Sequence, residues 1–428
     1  MAPRKTLQIP LHDLIACLAD TIDLVSPELA DHHRRVGYIA SALATQIGLS
    51  PTEAVELLHA GYLHDIGALS LTERLAIQNF EAKETGHHAE IGALLLEMFT
   101  PFSRLADIVR YHHLSWDGGK GTFFKGRLVP QESHIVHLAD RIAVLLGSTD
   151  RIRLLSTVRD IRDRVQAKSG TMFSPSLVAA FTRLATKEYF WLDLAQPLSC
   201  EAKSRKHGTD VQLDTDGLVG LSRLFARIID FRSHFTATHS TGVAAGAQAI
   251  ARLARRPEEE CLQLSIAGLL HDLGKLAVPT ELLEKPGKLT PQEKSVLRCH
   301  TFYTYRTLEK VPAFATIAAW SSYHHERLDG SGYPFHLSGK DIPLGARIVA
   351  VADVFTAITE DRPYRKGMSP VQVHKVLDGM VRHSALDPDL VALLLDHFEE
   401  LDTVRCAAQA EATREYAGMY EKVAAVCC

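Results

Sequence analysis

The chain is poor in the features that mark exported, membrane-spanning or polyanion-binding proteins. Its 428 residues include seven cysteines, Cys17, Cys200, Cys261, Cys299, Cys406, Cys427 and Cys428. They are scattered, odd in number and lack zinc-like spacing, so a disulfide framework is excluded and they read as reduced thiols. No run approaches the ~18 apolar residues that span a bilayer. The opening MAPRKTLQIP likewise has no apolar signal core. A soluble protein without a membrane partner is expected, in the cytoplasm. One-sided charge is missing too, because 47 basic and 51 acidic side chains leave a net charge of −4. Duplex nucleic acid demands a basic face and is therefore excluded as the main partner. A small anionic ligand held by a few local cations stays compatible. The length suffices for two domains, each with its own core.

Histidine, by contrast, is abundant. There are 22, several paired or beside an acid: His32-His33, His64-Asp65, His87-His88, His112-His113, His271-Asp272 and His324-His325. Histidine and carboxylate are the ligand types of transition metals. Their arrangement repeats. HAGYLHDIGALS (59–70) resembles IAGLLHDLGKLAVP (266–279), and YHHLSWDGGKG (111–121) resembles YHHERLDGSGYP (323–333 and Pro334). His32 to His64 and His239 to His271 are both 32 residues apart, and His88 to His112 and His300 to His324 are both 24. His113 to Asp140 is 27 against 28 for His325 to Asp353; only His64 to His88 and His271 to His300 differ, 24 against 29. Two copies of one module explain these spacings.

The polar, aperiodic stretch near 195–215 marks the boundary. Residues 1–200 are expected to form the first domain, 201–214 a linker, and 215–428 the second domain with a C-terminal helical extension. The fold class expected is all-α, as two tandem helical domains. Ser50-Pro51-Thr52-Glu53 and Thr290-Pro291-Gln292-Glu293 carry the signature of a capped helix start. Leu221, Leu224, Phe225, Ile228 and Ile229 fall on one helical face.

In the C-terminal half the candidate ligands are His239, His271, Asp272, His300, His324, His325 and Asp353. Neighbours on a helix point about 100° apart, so His271 and Asp272 address one site only if it holds two ions, with the two oxygens of Asp272 bridging them. Seven N and O ligands without thiolate suit iron, manganese or another octahedral ion better than a closed four-ligand zinc site. A two-metal centre makes water nucleophilic at neutral pH and offsets charge on a phosphoryl group. Lys275 lies one turn beyond His271 and is placed for a phosphate oxygen. Arg362 and Arg365, in DRPYRK, are placed for a second phosphate or a base edge.

HDLGK (271–275), HHERLDGSGYP (324–334) and VADVFTAITEDRPYR (351–365) closely resemble the HD-GYP family, helical metal-dependent phosphodiesterases of the HD superfamily that linearise cyclic dinucleotides. The likeness spans about residues 215–400. It implies that the seven residues above are metal ligands and that Lys275 contacts the scissile phosphate, so that Asp272 and Lys275 stand as the catalytic pair. It further implies that Gly332, Tyr333 and Pro334 lie beside the nucleotide and that Arg362 and Arg365 bind it. Family members with three metals have a glutamate four residues before the first histidine; Phe235 stands there, so two metals are expected.

The N-terminal half keeps every ligand type, in His32, His64, Asp65, His88, His112, His113 and Asp140, with Glu28 four residues before His32. Ala68 replaces the lysine, however, Leu114 the glutamate after the histidine pair, and Gly119-Lys120-Gly121 the GYP. This half resembles a divergent HD domain with a regulatory, packing or dimerising role, and an additional metal there is one of two readings, the other being inherited core histidines. A homodimer is compatible with the sequence. The leading functional expectation is hydrolysis of cyclic di-GMP or 3′,3′-cyclic GMP-AMP to the linear dinucleotide, with mononucleotides after a second cut. The alternatives are a non-hydrolytic cyclic-dinucleotide sensor or partner-binding regulator, and an HD hydrolase acting on another nucleotide.

Overall fold

The computed structural model describes residues 7–9, 11–26, 29–68, 75–76, 79–80, 86–147, 154–195, 211–231, 238–361 and 366–427. Among these, helices dominate, as the all-α expectation required. The strands are very short, such as the antiparallel pair Phe123–Phe124 and Arg127–Leu128. The chain forms two compact units, one around residues 8–212 and the other around 213–422. Most of the expected linker, 201–210, lies outside the described residues.

The first unit contains α1 (Leu11–Asp23), α2 (His32–Gln46), α3 (Pro51–Leu63), α4 (Gly86–Glu97), α5 (Ser103–Arg110) and α6 (Gln131–Leu146). These are followed by α7 (Leu154–Ala167), α8 (Pro175–Leu184) and α9 (Glu188–Leu194). Helix α2 packs against both α3 and α6, and Val36, Ile39 and Leu43 of α2, Leu57 of α3 and Ile135 and Leu138 of α6 are all buried. The second unit repeats the plan with α10 (Thr215–Phe231), α11 (His239–Leu253), α12 (Glu258–Leu270), α13 (Pro291–Leu308), α14 (Ala315–Ser322) and α15 (Leu344–Thr359). It continues with α16 (Pro370–Arg382), α17 (Pro388–Asp396) and the long α18 (Phe398–Cys427). Helix α11 packs on α12 and α15, and the five apolar residues anticipated on one face of α10 are all buried.

Local chemistry fixes where these helices start. Ser50 Oγ accepts from the Glu53 amide while the Glu53 carboxylate accepts from the Ser50 amide at 2.8 Å, and Thr290 and Glu293 repeat the exchange at the start of α13. Two further starts escaped the sequence reading: Ser369 with Gln372 before α16, and Asp387, which accepts from the amides of Asp389 and Leu390 before α17. Each such cap is worth about 1 kcal/mol.

One expectation needs correcting. His271 and Asp272 do not share the body of a helix: His271 is the residue after α12, and Asp272 opens a tight turn over Leu273–Ala277 that also carries Lys275. The turn is pressed onto α13 so closely that a Cβ at Gly274 would lie 2.0 Å from the His300 carbonyl oxygen. Gly67 meets the His88 carbonyl in the same way at 2.1 Å, so both copies of His-Asp-x-Gly need the glycine to seat the following histidine's helix.

Because the clash is backbone against backbone, no side-chain rotation relieves it. Gly274→Ala is expected to lower stability by about 1–3 kcal/mol or more in thermal melts. Gly379→Ala, in α16 with open space around the added Cβ, is expected to stabilise by about 0.5–1 kcal/mol.

Candidate metal centre

All seven C-terminal candidates meet. His239 opens α11, His271 follows α12, His300 lies within α13, His324 and His325 follow α14, and Asp353 lies within α15. They form two donor groups, His239/His271/Asp353 and His300/His324/His325, each with its ligand atoms within 4.8 Å of one another. In the first group His239 Nε2 is 3.0 Å from Asp353 Oδ1, and His271 Nε2 is 4.0 Å from that oxygen. In the second, the Nε2 atoms of His300 and His324 are 3.5 Å apart. Asp272 joins the groups, with Oδ2 3.2 Å from His271 Nε2 and Oδ1 3.5 Å from His300 Nε2. This is the placement expected of a bridging carboxylate. Lys275 Nζ sits 2.6 Å from Asp272 Oδ2 and keeps 19% of its side chain exposed.

The imidazoles are oriented by the backbone. The Nδ1 atoms of His271, His300 and His324 hydrogen-bond the carbonyls of Gly268 at 2.7 Å, Leu297 at 2.6 Å and Ser321 at 2.6 Å. Each carbonyl lies three residues earlier, so Nδ1 donates and Nε2 is left facing the cluster as an acceptor. His239 is held differently. Its Nδ1 lies 3.2 Å from the Glu360 carboxylate, which also accepts from Gln409 Nε2 at 3.0 Å, and Gln409 in turn takes a hydrogen bond from Arg405. Glu360, Gln409 and Arg405 form an outer layer of support absent from the sequence reading.

Electrostatics fit the same use. Burial lowers His300 to about 3 and His324 well below its ordinary range, so both are neutral donors. Burial opposes ionisation of Asp272 and Asp353, but the neighbouring histidines, and Lys275 for Asp272, outweigh it and hold both carboxyls below their usual range. At His239 burial is overcome by Asp353 and Glu360, raising it to about 10. Imidazole nitrogens and carboxylate oxygens of this kind suit divalent first-row ions.

The Gly332-Tyr333-Pro334 loop is fastened beside this cluster. The Glu326 carboxylate accepts from the amides of Phe335 at 2.7 Å and Leu337 at 3.0 Å. A Cβ at Gly332 would lie 2.4 Å from the Glu326 Cα and the Arg327 nitrogen. The loop therefore folds back against its own start only with glycine there. The Tyr333 ring is 4.9 Å from that of His325, and the guanidinium of the exposed Arg298 lies 4.3 Å from the centroid of the Tyr333 ring. Arg298, unlike Arg362 and Arg365, was not singled out by sequence. Arg362, Arg365 and Phe235 fall outside the described residues, as does Glu28 in the first unit.

The N-terminal candidates also converge, as Asp65/His88/His112/His113 and His32/His64/Asp140. Asp65 again stands between, with Oδ2 3.1 Å from His64 Nε2 and Oδ1 3.2 Å from His88 Nε2. His64 and His112 bond Nδ1 to the carbonyls of Gly61 at 2.8 Å and Val109 at 2.6 Å, the arrangement of the second unit. Leu114 offers no carboxylate to fasten a loop.

Two sequence profiles, each described as HD domain, match residues 29–145 and 223–390. A 3′3′-cGAMP-specific phosphodiesterase of Vibrio cholerae is 31% identical over 402 residues, covering 92% of this chain and 93% of the relative. The chain belongs to the HD-domain family. Its second HD domain is of the HD-GYP type. A cyclic di-GMP phosphodiesterase of Pseudomonas aeruginosa is 44% identical over 139 residues, 32% of this HD-domain chain and 34% of that protein. The crystal structure of a cyclic GMP-AMP-specific phosphodiesterase of V. cholerae superposes with a TM-score of 0.61 at 24% identity, covering 92% of this chain and 98% of the other, and so has the same fold.

Two outcomes follow from the support of His239. Glu360→Gln is expected to weaken manganese binding about 10–100-fold in titrations of metal-free protein. Since His239 holds its proton at pH 7 without metal, ion binding displaces that proton. Affinity should then rise with pH up to about 10, and a pH-independent affinity would contradict the assignment.

Proposed function

We propose that this protein is a metal-dependent phosphodiesterase that opens a 3′,3′-linked cyclic dinucleotide at the C-terminal centre. The observation that carries this reading is Asp272 set between two histidine groups, with the Lys275 ammonium on one of its oxygens. His239, His271 and Asp353 would hold one divalent ion and His300, His324 and His325 the other, with Asp272 shared; iron or manganese best matches this donor set. Bound there, the ions would supply Lewis acidity and a nucleophilic water at neutral pH.

The remaining work falls to side chains. Lys275 is close enough to exchange its contact with Asp272 for a non-bridging phosphate oxygen, adding positive charge where negative charge develops. Attack in line with the departing 3′ oxygen breaks one P–O bond and makes another, leaving a 3′ hydroxyl and a 5′ phosphate on a linear dinucleotide. A second cut gives mononucleotides if the linear form binds again. The loop held by Glu326 places Tyr333 against His325, at the edge where a base would lie, and Arg298 beside it offers a cation for a second phosphate. For the substrate we favour 3′,3′-cyclic GMP-AMP over cyclic di-GMP. The V. cholerae relative named for the former spans nearly the whole chain, whereas the P. aeruginosa relative named for the latter spans about a third. The first domain, with Ala68 in place of the lysine, has a supporting rather than hydrolytic role.

The test is product analysis with full-length protein purified anaerobically and supplied with manganese or ferrous iron, on both cyclic dinucleotides. Linear product is expected, faster from cyclic GMP-AMP. Asp272→Ala should cost more than the ~10–100-fold that loss of an outer support brings. Lys275→Ala should lower kcat by ~10²–10³. Tight binding of a cyclic dinucleotide without linear product under reducing conditions would establish a sensor instead.

A further inference from the structure

The helix end that carries His271 and the turn that carries Asp272 share one side chain from outside both. Where a helix stops, its last carbonyls have no partner within it, and where a helical turn starts, its first amides have none. Thr304 of α13 meets one of each. Its Oγ1 accepts from the Gly274 amide at 2.9 Å and donates to the His271 carbonyl at 3.1 Å. The side chain is fully buried, and its one proton and one of its lone pairs account for both bonds. The neighbouring hydroxyls are used within α13: Thr301 donates to the Arg298 carbonyl at 3.1 Å and Thr307 to that of Tyr303 at 2.8 Å. Thr304 gives to the turn what a helical threonine ordinarily gives to its own helix.

The other repeat lacks this hydroxyl. A Cβ at Gly67 would lie 2.4 Å from the Gly92 nitrogen, as one at Gly274 would lie 2.7 Å from the Thr304 nitrogen. Gly92 therefore occupies the place of Thr304, each four residues after its histidine (92 − 88 and 304 − 300). Asp65 nevertheless stands between its histidines much as Asp272 does, at 3.1 and 3.2 Å against 3.2 and 3.5 Å. Placing the carboxylate does not require the threonine. What changes together with Thr304 is the next residue of the turn: Lys275 follows Gly274 and lies 2.6 Å from Asp272 Oδ2, whereas buried Ala68 follows Gly67. Only in the second unit does the carboxylate share an oxygen with a cation that, on the proposed mechanism, moves to a phosphate oxygen. There the turn must keep its shape when that contact is given up.

We propose that Thr304 is a positioning residue, whose hydroxyl clamps the 271–277 turn so that Asp272 stays between the two histidine groups while Lys275 turns to the substrate. The clamp fastens the turn to the helix that carries His300, whose Nε2 is 3.5 Å from Asp272 Oδ1, so the two sides of that contact are held by one element. Both bonds of Thr304 go to backbone groups, and it acts through Asp272 and Lys275. Its consequence for turnover rests on the phosphodiesterase reading, but the clamp itself belongs to the chain without metal or substrate.

The test is a double-mutant cycle in the full-length protein with manganese, on 3′,3′-cyclic GMP-AMP. Thr304→Val keeps the shape of the side chain and removes both bonds; kcat is expected to fall about tenfold with KM little changed, and Thr304→Ser to restore it. In a Lys275→Ala background the same Thr304→Val change should cost less than about twofold, because no contact is left to hand over. A second measurement needs no turnover: in metal-free protein, amide hydrogen exchange of peptides covering 271–277 should quicken about tenfold in Thr304→Val and stay as in the wild type in Thr304→Ser. Thr304→Ala replaces the valine variant in both measurements if the latter fails to fold. Wild-type protein that yields no linear product would defeat the phosphodiesterase reading, and the exchange result alone then decides the clamp. Equal losses of kcat with and without Lys275, or exchange in 271–277 that ignores loss of the hydroxyl, overturn the proposal.

Discussion

A hydrogen bond from an imidazole Nδ1 to the carbonyl three residues earlier underlies both sites. Carbonyls near the end of a helix lack intrahelical partners, and a histidine placed there can take one of them up. Doing so fixes the tautomer and turns Nε2 outward from the helix axis. His64, His112, His271, His300 and His324 all use it. Four of the five stand at or just past a helix end, so a bundle whose helices finish at one place becomes a cup of aligned nitrogens. The carboxylates on α6 and α15 and in the turns after α3 and α12 then need only reach into that cup.

One scaffold therefore recurs in both units, and the difference lies in what surrounds the nitrogens. Lys275 and the Glu326-anchored loop give the second domain a charged, partly open edge. In the first, Ala68 is fully buried where the lysine of the second stands, and buried Arg141 pairs with Asp140. The repeat kept the geometry that is hard to build and varied the residues that are easy to change.

That division also explains what could be read from the sequence. The candidate ligand positions were legible because histidine and aspartate recur in the two halves in the same order and, for most intervals, at nearly the same spacing. The capped starts at Ser50 and Thr290 were legible for a similar reason, since a cap and its reciprocal glutamate lie three residues apart. Glu360 and Gln409 were not, because they reach His239 from 121 and 170 positions away (360 − 239 and 409 − 239) and carry no signature of their own. The tight turn after His271 escaped as well. Its cause, the approach of Gly274 to the His300 carbonyl, belongs to packing between segments rather than to either one.

The long helix α18 reaches the metal centre only indirectly, through Gln409. The family match stops at residue 390, nineteen positions short of that side chain (409 − 390). A fragment trimmed to the recognisable domain would retain all seven donors yet leave Glu360 without its amide partner and the His239 ring less firmly aimed. The working boundary of this catalytic unit is thus drawn by a glutamine in a helix that no motif marks.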